Sequence, residues 1–536
     1  MIARPSFCDN NKFFTLKPKL RILGRVVFVA TILVCGGSMS TETAMVNDKR
    51  EIFGWAMYDW ANSAFSTTVV TAFLGPYLTA ITKAAADADG NIHLLNYPIR
   101  FDSYFTFLIS ASVLLQVTFL PILGALADYS HMRKQLMRFF AFLGALTTIL
   151  MFFITPGGHW FAGLLFIVAN VAFGASIVFY NAYLPSIASE EKRDEVSSRG
   201  FAYGYIGGGL LLFLNLLLFL FGDKIGLDSS MVARICLASA GVWWFGFSLI
   251  TFSRLQPRHA VRDLPEGENY FTIGFKQLGE LMEIPHNIVT VLMVLPLLIP
   301  VLLFLRLPIW IVLLPGAGPV GILITFLIRK GRTLPEAMKF LGAYLLYNDG
   351  VQTVISVAAI FAAQELGMQS TQLILVILMI QFVAFAGAFG FNWIASKLGT
   401  KQAIIISLVI WCGTTIYAFA GMKSTAIVLG IEQRQLEFWI LGFVIALILG
   451  GSQALSRSLF AQMIPKDQEA EFYSFYEISE RGTSWLGTFT FGLVNTVFKS
   501  LRLGILSVIL FFIAGLILLP FVNVKKAMEQ AKQTIK

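Results

Sequence analysis

Charged residues are scarce in this chain. Only 13% of its 536 residues are Asp, Glu, Lys or Arg, whereas 57% are hydrophobic. Soluble domains carry about 25% charged residues, so this composition excludes an ordinary water-soluble fold. The mean hydropathy of +0.74 indicates a chain whose solvent is mostly lipid.

Several chemical signatures are also missing. The four cysteines form no C-x-x-C pair and the five histidines form no cluster, so we expect neither a metal nor a cofactor. No H-E-x-x-H, G-x-S-x-G or P-loop pattern occurs. These absences argue against a membrane-embedded enzyme and against ATP-driven transport.

Long apolar runs are what the chain does have. A helix needs roughly 20 apolar residues to cross a bilayer, and fourteen runs reach or approach that length. They lie at about 55–81, 104–127, 139–155, 160–184, 201–221, 235–253, 288–305, 307–328, 340–363, 372–395, 402–421, 438–455, 483–498 and 503–523. We predict an all-α membrane protein of about 14 transmembrane helices. The runs 288–305 and 307–328 fit a re-entrant hairpin as well as two crossings.

The runs divide the chain into segments. We predict six-helix halves at 51–253 and 329–523, with a central cytoplasmic loop at 254–287, an extra hydrophobic helix pair at 288–328 and a cytoplasmic tail at 524–536. Residues 1–50 precede this core. Their apolar stretch has signal-peptide length, and the segment is either untranslated, with the start at Met39 or Met45, or disordered.

The basic residues are distributed unevenly between the loops. With the first run starting in the cytoplasm, the inside loops hold 25 Lys and Arg and the outside loops hold 9. Cytoplasmic loops of membrane proteins carry such an excess, so both ends of the core should be cytoplasmic. The bias also accounts for the net charge of +9 without a nucleic-acid partner.

A polar stripe occurs twice, and it is the strongest internal signal. Asp59, Asn62, Ser63 and Ser66 match Asp349, Gln352, Thr353 and Ser356 in residue class and in spacing. The positions i, i+3, i+4 and i+7 lie on one face of a helix. In lipid such a face must turn toward water or a partner, so we expect the two stripes to face each other across a central cavity.

A second match indicates that the halves are parallel repeats. Ser197 to Gly200 (SSRG) resembles Ser479 to Gly482 (SERG), and each segment precedes a glycine-bearing run. Two halves with the same order of helices are related by an axis along the membrane normal.

Two sets of motifs carry a family resemblance. Gly124 to Asp128 (GALAD), followed by basic residues, resembles the loop motif between the second and third helices of the major facilitator superfamily, from which Tyr129 and His131 depart. The stretches GWAMYDWANSAF at 54–65, YNDGVQT at 347–353 and GSQALSRSLF at 451–460 resemble its vacuole-effluxer branch. The resemblance covers roughly residues 50 to 525 and implies two six-helix halves; the pair at 288–328 departs from it.

The resemblance also implies a function, since fungal members of the branch are associated with amino-acid efflux. We expect a secondary active transporter, not an enzyme, that exports a small polar solute such as an amino acid, with the proton as a candidate coupling ion. We expect a monomer in the bilayer of a bacterial inner (plasma) membrane. The alternative is a non-transporting sensor or scaffold with the same fold.

We predict two groups of functional residues. With the runs drawn as above, Asp59 and Asp349 are the only acids or bases inside them. The cavity group is the two stripes together with Asn181, Gln453 and Arg457; a structural polar network is the alternative interpretation.

The gating group is Asp128, Arg133, Lys134, Arg199 and Arg481. We expect Asp128 near the cytoplasmic start of the helix containing 483–498, where a helix dipole would hold its charge.

The charge bias makes the topology testable. A cysteine introduced at Asn91 should react with a membrane-impermeant thiol reagent added outside the cell, because residues 82–103 form an outside loop. A cysteine at Glu268, in the central loop, should react only after the membrane is permeabilised. The reverse labelling pattern would contradict the topology.

Overall fold

A computed structural model describes residues 46–94, 97–101, 104–129, 132–258, 275–276, 279, 285–295, 317–428, 430–466, 468–481 and 484–533. Three predicted segments lie wholly or partly outside these residues. They are most of the N-terminal segment, much of the central loop and the middle of the extra hydrophobic pair.

Helices make up nearly all of the first half, as its long apolar runs predict. They are α1 (Lys49–Ala64), which continues through a π-helical turn (Phe65–Phe73) into α2 (Leu74–Ala85), then α3 (Tyr104–Tyr129), α4 (Arg133–Leu150), α5 (His159–Ile187), α6 (Arg193–Phe221) and α7 (Ser229–Arg254). A hairpin of β1 (Asn91–Leu94) and β2 (Tyr97–Arg100) lies in the first loop predicted to be outside, with Asn91 opposite Arg100.

The second half repeats this order. Two helices precede it, α8 (His286–Val294) and α9 (Ala317–Thr333). The half itself comprises α10 (Pro335–Leu366), α11 (Ser370–Leu398), α12 (Thr400–Ala420), a short hairpin of β3 (Ile427–Val428) and β4 (Ile431–Glu432), α13 (Gln433–Met463), α14 (Glu469–Arg481), α15 (Ser484–Phe498), α16 (Leu501–Ser507), α17 (Ile509–Leu518) and α18 (Val524–Gln533).

The described helices confirm a multi-pass membrane protein. Eleven of the described spans are long and apolar enough to cross a bilayer, from Lys49–Ala85 to Leu501–Phe521. α15 is shorter, with 15 residues, and α8 and α9 are the described parts of the region predicted at 288–328. The number of fourteen crossings therefore stays a prediction.

The helix that carries the first stripe is not a regular α-helix. It starts at Lys49, where Asp48 accepts a hydrogen bond from the backbone of Arg50, so Asp59 lies nearly three turns inside it. The π-helical turn begins at Phe65, which moves Ser66 off the simple i+7 face. The second stripe lies on the uninterrupted helix α10.

The halves meet along two sets of helices. α6 packs against α11 and α13, and α14 packs against α3 and α5. Within each half the stripe helix packs on a glycine-bearing partner, α1 on α6 and α10 on α15. The last helix, α18, buries Ala527 and Ala531 against the second half, so the predicted cytoplasmic tail is a docked helix over its described part.

Helix contacts at glycine give a stability test. A Cβ on Gly207 of α6 would lie 2.5 Å from the backbone oxygen of Trp60, whereas a Cβ on Gly246 of α7 would meet nothing within 4 Å. Gly207→Ala should therefore destabilise the protein by about 1–3 kcal/mol, the usual cost of overpacking.

Gly246→Ala is the matched control, because alanine at an open helical position is slightly stabilising. Melting of the two purified variants in one detergent measures both effects. Equal melting temperatures would contradict the close contact between α1 and α6.

Candidate functional site

The sequence repeat is also a packing repeat. In the first half, a Cβ on Gly204 would lie 2.6 Å from the Ser63 hydroxyl and 3.3 Å from the backbone oxygen of Asp59. In the second half, a Cβ on Gly487 would collide with the Thr353 hydroxyl and lie 3.2 Å from the backbone oxygen of Asp349. Each acid and the hydroxyl four residues later thus face a glycine of their own half.

Asp59 is buried and makes an ion pair with the opposite half. The Tyr180 hydroxyl of α5 donates a hydrogen bond to Asp59 Oδ2 at 2.7 Å. Arg457 Nη1 of α13 donates to the same oxygen at 3.2 Å. The Asp59 side chain is 10% exposed and the Arg457 side chain is 3% exposed. Arg457 lies on α13, two residues beyond the predicted run 438–455. Because the helix is longer than that run, Asp59 and Asp349 are not the only charged residues within the transmembrane helices.

The other donors of Arg457 are bound to α6. Its Nε donates to Ser197 Oγ at 2.9 Å and its Nη2 donates to the Ser197 carbonyl at 2.8 Å. The guanidinium also lies over three aromatic rings, with centroids 4.1 Å away for Phe201, 4.9 Å for Trp55 and 5.5 Å for Tyr180. Aromatic faces attract cations most strongly where water is excluded, so this position favours a permanent positive charge.

Two further hydrogen bonds between the halves surround the pair. Asn181 Nδ2 donates to Glu477 Oε1 of α14 at 2.6 Å, and its Oδ1 lies 3.4 Å from Arg457 Nη1. The Tyr205 hydroxyl donates to Gln453 Oε1 at 2.8 Å. Three predicted cavity residues, Asn181, Gln453 and Arg457, therefore lie at one interface with Asp59.

Asp349 lies in a different environment. Its side chain is 1% exposed, and Oδ2 accepts a hydrogen bond from the backbone of Gly487 at 2.9 Å. Among the described residues, its Oδ1 and the Thr353 hydroxyl have no hydrogen-bond partner. The described side chains therefore give Asp349 no counterpart of the arginine that Asp59 contacts.

The remaining stripe residues differ in exposure. Asn62 is buried, Ser63, Ser66 and Gln352 are half-buried, and Ser356 is exposed. Ser66 donates to the backbone of Ser63, and Ser356 donates to the backbone of Gln352. Both hydroxyl groups therefore donate their hydrogen bonds to backbone carbonyl groups of their own helices. The described polar contacts link Asp59 to the opposite half through Arg457 and leave Asp349 bound within its own half.

A second charged cluster, here named the cytoplasmic cluster, lies at the end of the same interface that the basic residues assign to the cytoplasm. Asp128 accepts hydrogen bonds from the backbones of Ala470 at 3.2 Å and Glu471 at 3.0 Å, in the first turn of α14. Arg133 donates to Asp128 at 2.9 Å and to Glu469 at 3.3 Å. Asp128 thus caps a helix of the opposite half, although the helix starts at Glu469 rather than near 483.

Two other predicted gating residues, Arg199 and Lys134, make no described contact with this cluster. Arg199 makes an ion pair with Glu195 on the exposed side of its own helix, and Lys134 is half-buried. The side chain of Arg481 lies outside the described residues. Polar contacts between the halves thus gather at the end assigned to the cytoplasm, and the structure is closed there.

Sequence reasoning missed the acids of α14. Glu469 and Glu477 are buried at the interface, but the segment before 483 has too few apolar residues to count as a run. Its signal is a helical period in which Glu469, Phe472, Tyr473 and Tyr476 recur at three- and four-residue steps. Among the described residues, no group of His, Cys, Asp and Glu side chains could hold a metal ion.

Two halves of transmembrane helices joined by charged contacts at one end define a transporter of the major facilitator superfamily. Solved structures share this fold. The proton:xylose symporter XylE bound to 6-bromo-6-deoxy-D-glucose has a TM-score of 0.61 at 12% identity, over 91% of this chain and 98% of that one. A bacterial homologue of the iron transporter ferroportin in an outward-facing state has a TM-score of 0.54 at 12% identity, over 88% and 99%.

Within that superfamily the chain belongs to the family described as "Vacuole effluxer Atg22 like", whose profile matches residues 47–296 and 323–532. The break in the match falls within the extra hydrophobic region. The chain is 27% identical to the uncharacterized MFS-type transporter YxiO of Bacillus subtilis (strain 168), over 89% of this chain and 96% of the relative. It is 25% identical to autophagy-related protein 22 of Coccidioides immitis (strain RS), over 92% and 89%.

The cytoplasmic cluster should respond to pH. Burial raises the pKa of Glu469 from 4.5 to about 7, and the charge of Arg133 opposes this shift. When the halves separate, Glu469 meets water and its pKa should return toward 4.5. The closed state therefore binds this proton more tightly, so acidification from pH 7 should favour closure, by up to about tenfold per pH unit for one linked proton.

Distances between spin labels at Glu191 and Lys466, which are exposed on opposite halves, would report the closed fraction. Glu469→Gln should weaken the pH dependence by the contribution of this one proton. Glu529→Gln, at an exposed position on α18, should keep it. Opening of the cytoplasmic end upon acidification would contradict the assignment.

Proposed function

We propose that this protein is a secondary active exporter of small zwitterionic solutes such as amino acids, coupled to protons and located in a bacterial plasma membrane. The observation that carries the proposal is the buried pair of Asp59 and Arg457 between the halves. The family description as an effluxer supports the direction, and the Bacillus subtilis relative supports the bacterial location.

The pair supplies both charges that a zwitterion needs. A carboxylate such as Asp59 binds an ammonium group, and a guanidinium such as Arg457 binds a carboxylate with two parallel hydrogen bonds. An amino acid carries these two groups on one carbon atom. It could therefore replace the contact between the two side chains with one contact to each of them.

The energetics of alternation favour this replacement. Removal of one partner from a buried ion pair costs about 3–5 kcal/mol, because the other charge stays buried and unpaired. The pair joins α1 to α13, so it must break when the halves separate at the cytoplasmic end. A bound zwitterion offsets this cost, whereas the empty transporter has no replacement for the lost contact. The conformational change should therefore be easier with solute bound than without it.

The polar surroundings keep the two charges in place for such an exchange. Ser197 holds the guanidinium through two hydrogen bonds, and Tyr180 holds the carboxylate through one. Each group therefore keeps a partner of its own while a solute replaces the direct contact in the closed state. The Ser197 bonds cross the interface and are lost only when the halves separate. Preorganised groups of this kind lower the cost of binding.

Counterflow in proteoliposomes tests the proposal. Purified protein would be reconstituted with an unlabelled mixture of the twenty amino acids inside, and uptake of each labelled amino acid would be followed. Asp59→Asn and Arg457→Gln should each reduce counterflow of the transported amino acids at least about tenfold, as expected for the loss of 1.4 kcal/mol or more.

Matched controls are available at exposed positions. Asp89→Asn, beside the first outside hairpin, and Arg332→Gln, at the end of α9, make the same chemical changes away from the interface and should leave counterflow unchanged. Absence of counterflow for every amino acid in the wild-type protein would contradict the proposed substrate class. Normal counterflow in Asp59→Asn and Arg457→Gln would contradict the role of the pair.

A further inference from the structure

Asp59 and Asp349 hold equivalent places in the repeat, but their partners differ. Asp59 receives hydrogen bonds from Tyr180 and Arg457. Asp349 receives one, from the backbone of Gly487, and among the described residues its second oxygen has none. An ionised carboxylate buried with one neutral donor is strongly unfavourable, and such a group takes up a proton instead.

We propose that Asp349 is the site of the coupling proton and that Asp59 stays ionised through the transport cycle. This assignment rests on the proposed function. It assigns solute binding and proton binding to different sites. The solute exchanges with the Asp59–Arg457 pair, while the proton is carried on the second stripe.

Among the side chains that the structure describes, the helices around Asp349 supply no alternative counter-ion. α15 and α17, which pack on α10, contain no ionisable residue. On the other packed helices, Arg457 is bound to Asp59, Glu477 accepts from Asn181, Arg502 of α16 pairs with Glu365, and the Tyr347 hydroxyl is hydrogen-bonded to Ser456. The remaining charged residues of these helices are Arg329, Lys330 and Arg332 of α9, Lys397 of α11, Arg434, Glu432 and Glu437 at the start of α13, Glu469, Glu471, Glu480 and Arg481 of α14, and Lys525, Lys526, Glu529 and Lys532 of α18. The side chains of Glu480 and Arg481 lie outside the described residues.

The described atoms near Asp349 include an aromatic ring and one hydroxyl group. A Cβ on the neighbouring Gly350 would lie 2.9 Å from the Phe512 ring of α17. The point occupied by a Cβ on Gly487 would lie 3.2 Å from Asp349 Oδ1 and would overlap the Thr353 hydroxyl. Oδ1 and this hydroxyl therefore converge on the same glycine, and both lack another partner among the described residues. A proton on Oδ1 removes the negative charge that would otherwise lie here without a hydrogen-bond partner on this oxygen among the described residues.

The geometry also explains how the proton affinity could change during transport. The hydrogen bond from Gly487 ties Asp349 to α15, and α15 follows α14, which contacts the first half. A shift of α14 and α15 relative to α10 would change the solvation of the carboxyl group. Exposure to water favours the ionised form, so the same movement that opens one end of the transporter would release the proton.

Infrared difference spectroscopy tests the assignment without any solute. Purified protein would be compared in acidic and alkaline buffer, and the carbonyl band of protonated carboxyl groups would be measured. Asp349→Asn should remove one carboxyl from this band and Asp59→Asn should remove none. Glu469→Gln provides a background without the cytoplasmic acid that also titrates near neutral pH.

Transport provides the second measurement. With the labelled amino-acid mixture, Asp349→Asn should keep counterflow but lose accumulation driven by a pH gradient, and Asp349→Glu should restore part of it. Melting of each variant confirms that it is folded. An unchanged carboxyl band in Asp349→Asn would overturn the assignment, as would gradient-driven accumulation that requires sodium in place of a pH gradient. Wild-type protein that shows the band but no amino-acid counterflow would contradict the proposed function and leave the proton site standing.

Discussion

The buried ion pair between Asp59 and Arg457 is the interaction on which the rest of the interface depends. Both side chains are almost fully removed from water, and the interior attraction between two charges only roughly repays the cost of burying them. The pair therefore persists because its neighbours satisfy it. Tyr180, Ser197 and Asn181 provide hydrogen bonds, and three aromatic rings cover the guanidinium. Such a pair adds little net stability, yet removal of only one partner is costly because the other charge stays buried and unpaired. This combination suits a contact that must be either complete or replaced by a ligand.

The internal repeat explains how one protein can hold two acids with different properties. Both stripes pack an acid and a hydroxyl against a glycine, so the two halves share a backbone arrangement. The difference lies in the helices that reach each acid. α13 brings an arginine to the first stripe, whereas α15, which packs on the second, has no ionisable residue. A duplicated scaffold thus provides one acid held as an ion and one that its surroundings favour as a neutral group.

The sequence was informative where a regular period or a bulk bias carried the signal. The paired stripes, the basic asymmetry and the GALAD motif led to the two halves and to most residues of the interface. Contacts between distant positions could not be read in this way, since Asp59 and Arg457 are 398 residues apart in the chain. The search for apolar runs missed α14. This helix places acidic side chains at the interface with the first half, so its sequence mixes charged and apolar residues. The π-helical turn after Asn62 leaves the hydrophobic pattern unchanged and has no comparable signature.

One segment of the second half, residues 469–487, contacts the cytoplasmic cluster, the surroundings of the Asp59–Arg457 pair and Asp349. Glu469, at the start of α14, bonds to Arg133; Glu477, eight residues later, accepts from Asn181; and Gly487 of α15 donates to Asp349. Eight residues of α-helix span about 12 Å, so the cytoplasmic cluster and the central pair are fixed to the same rigid element. Movement of α14 away from α4 and α5 must break the first two contacts together. Because α15 follows directly, the same movement changes the surroundings of Asp349, and this is the physical connection that coupling between a solute and a proton requires.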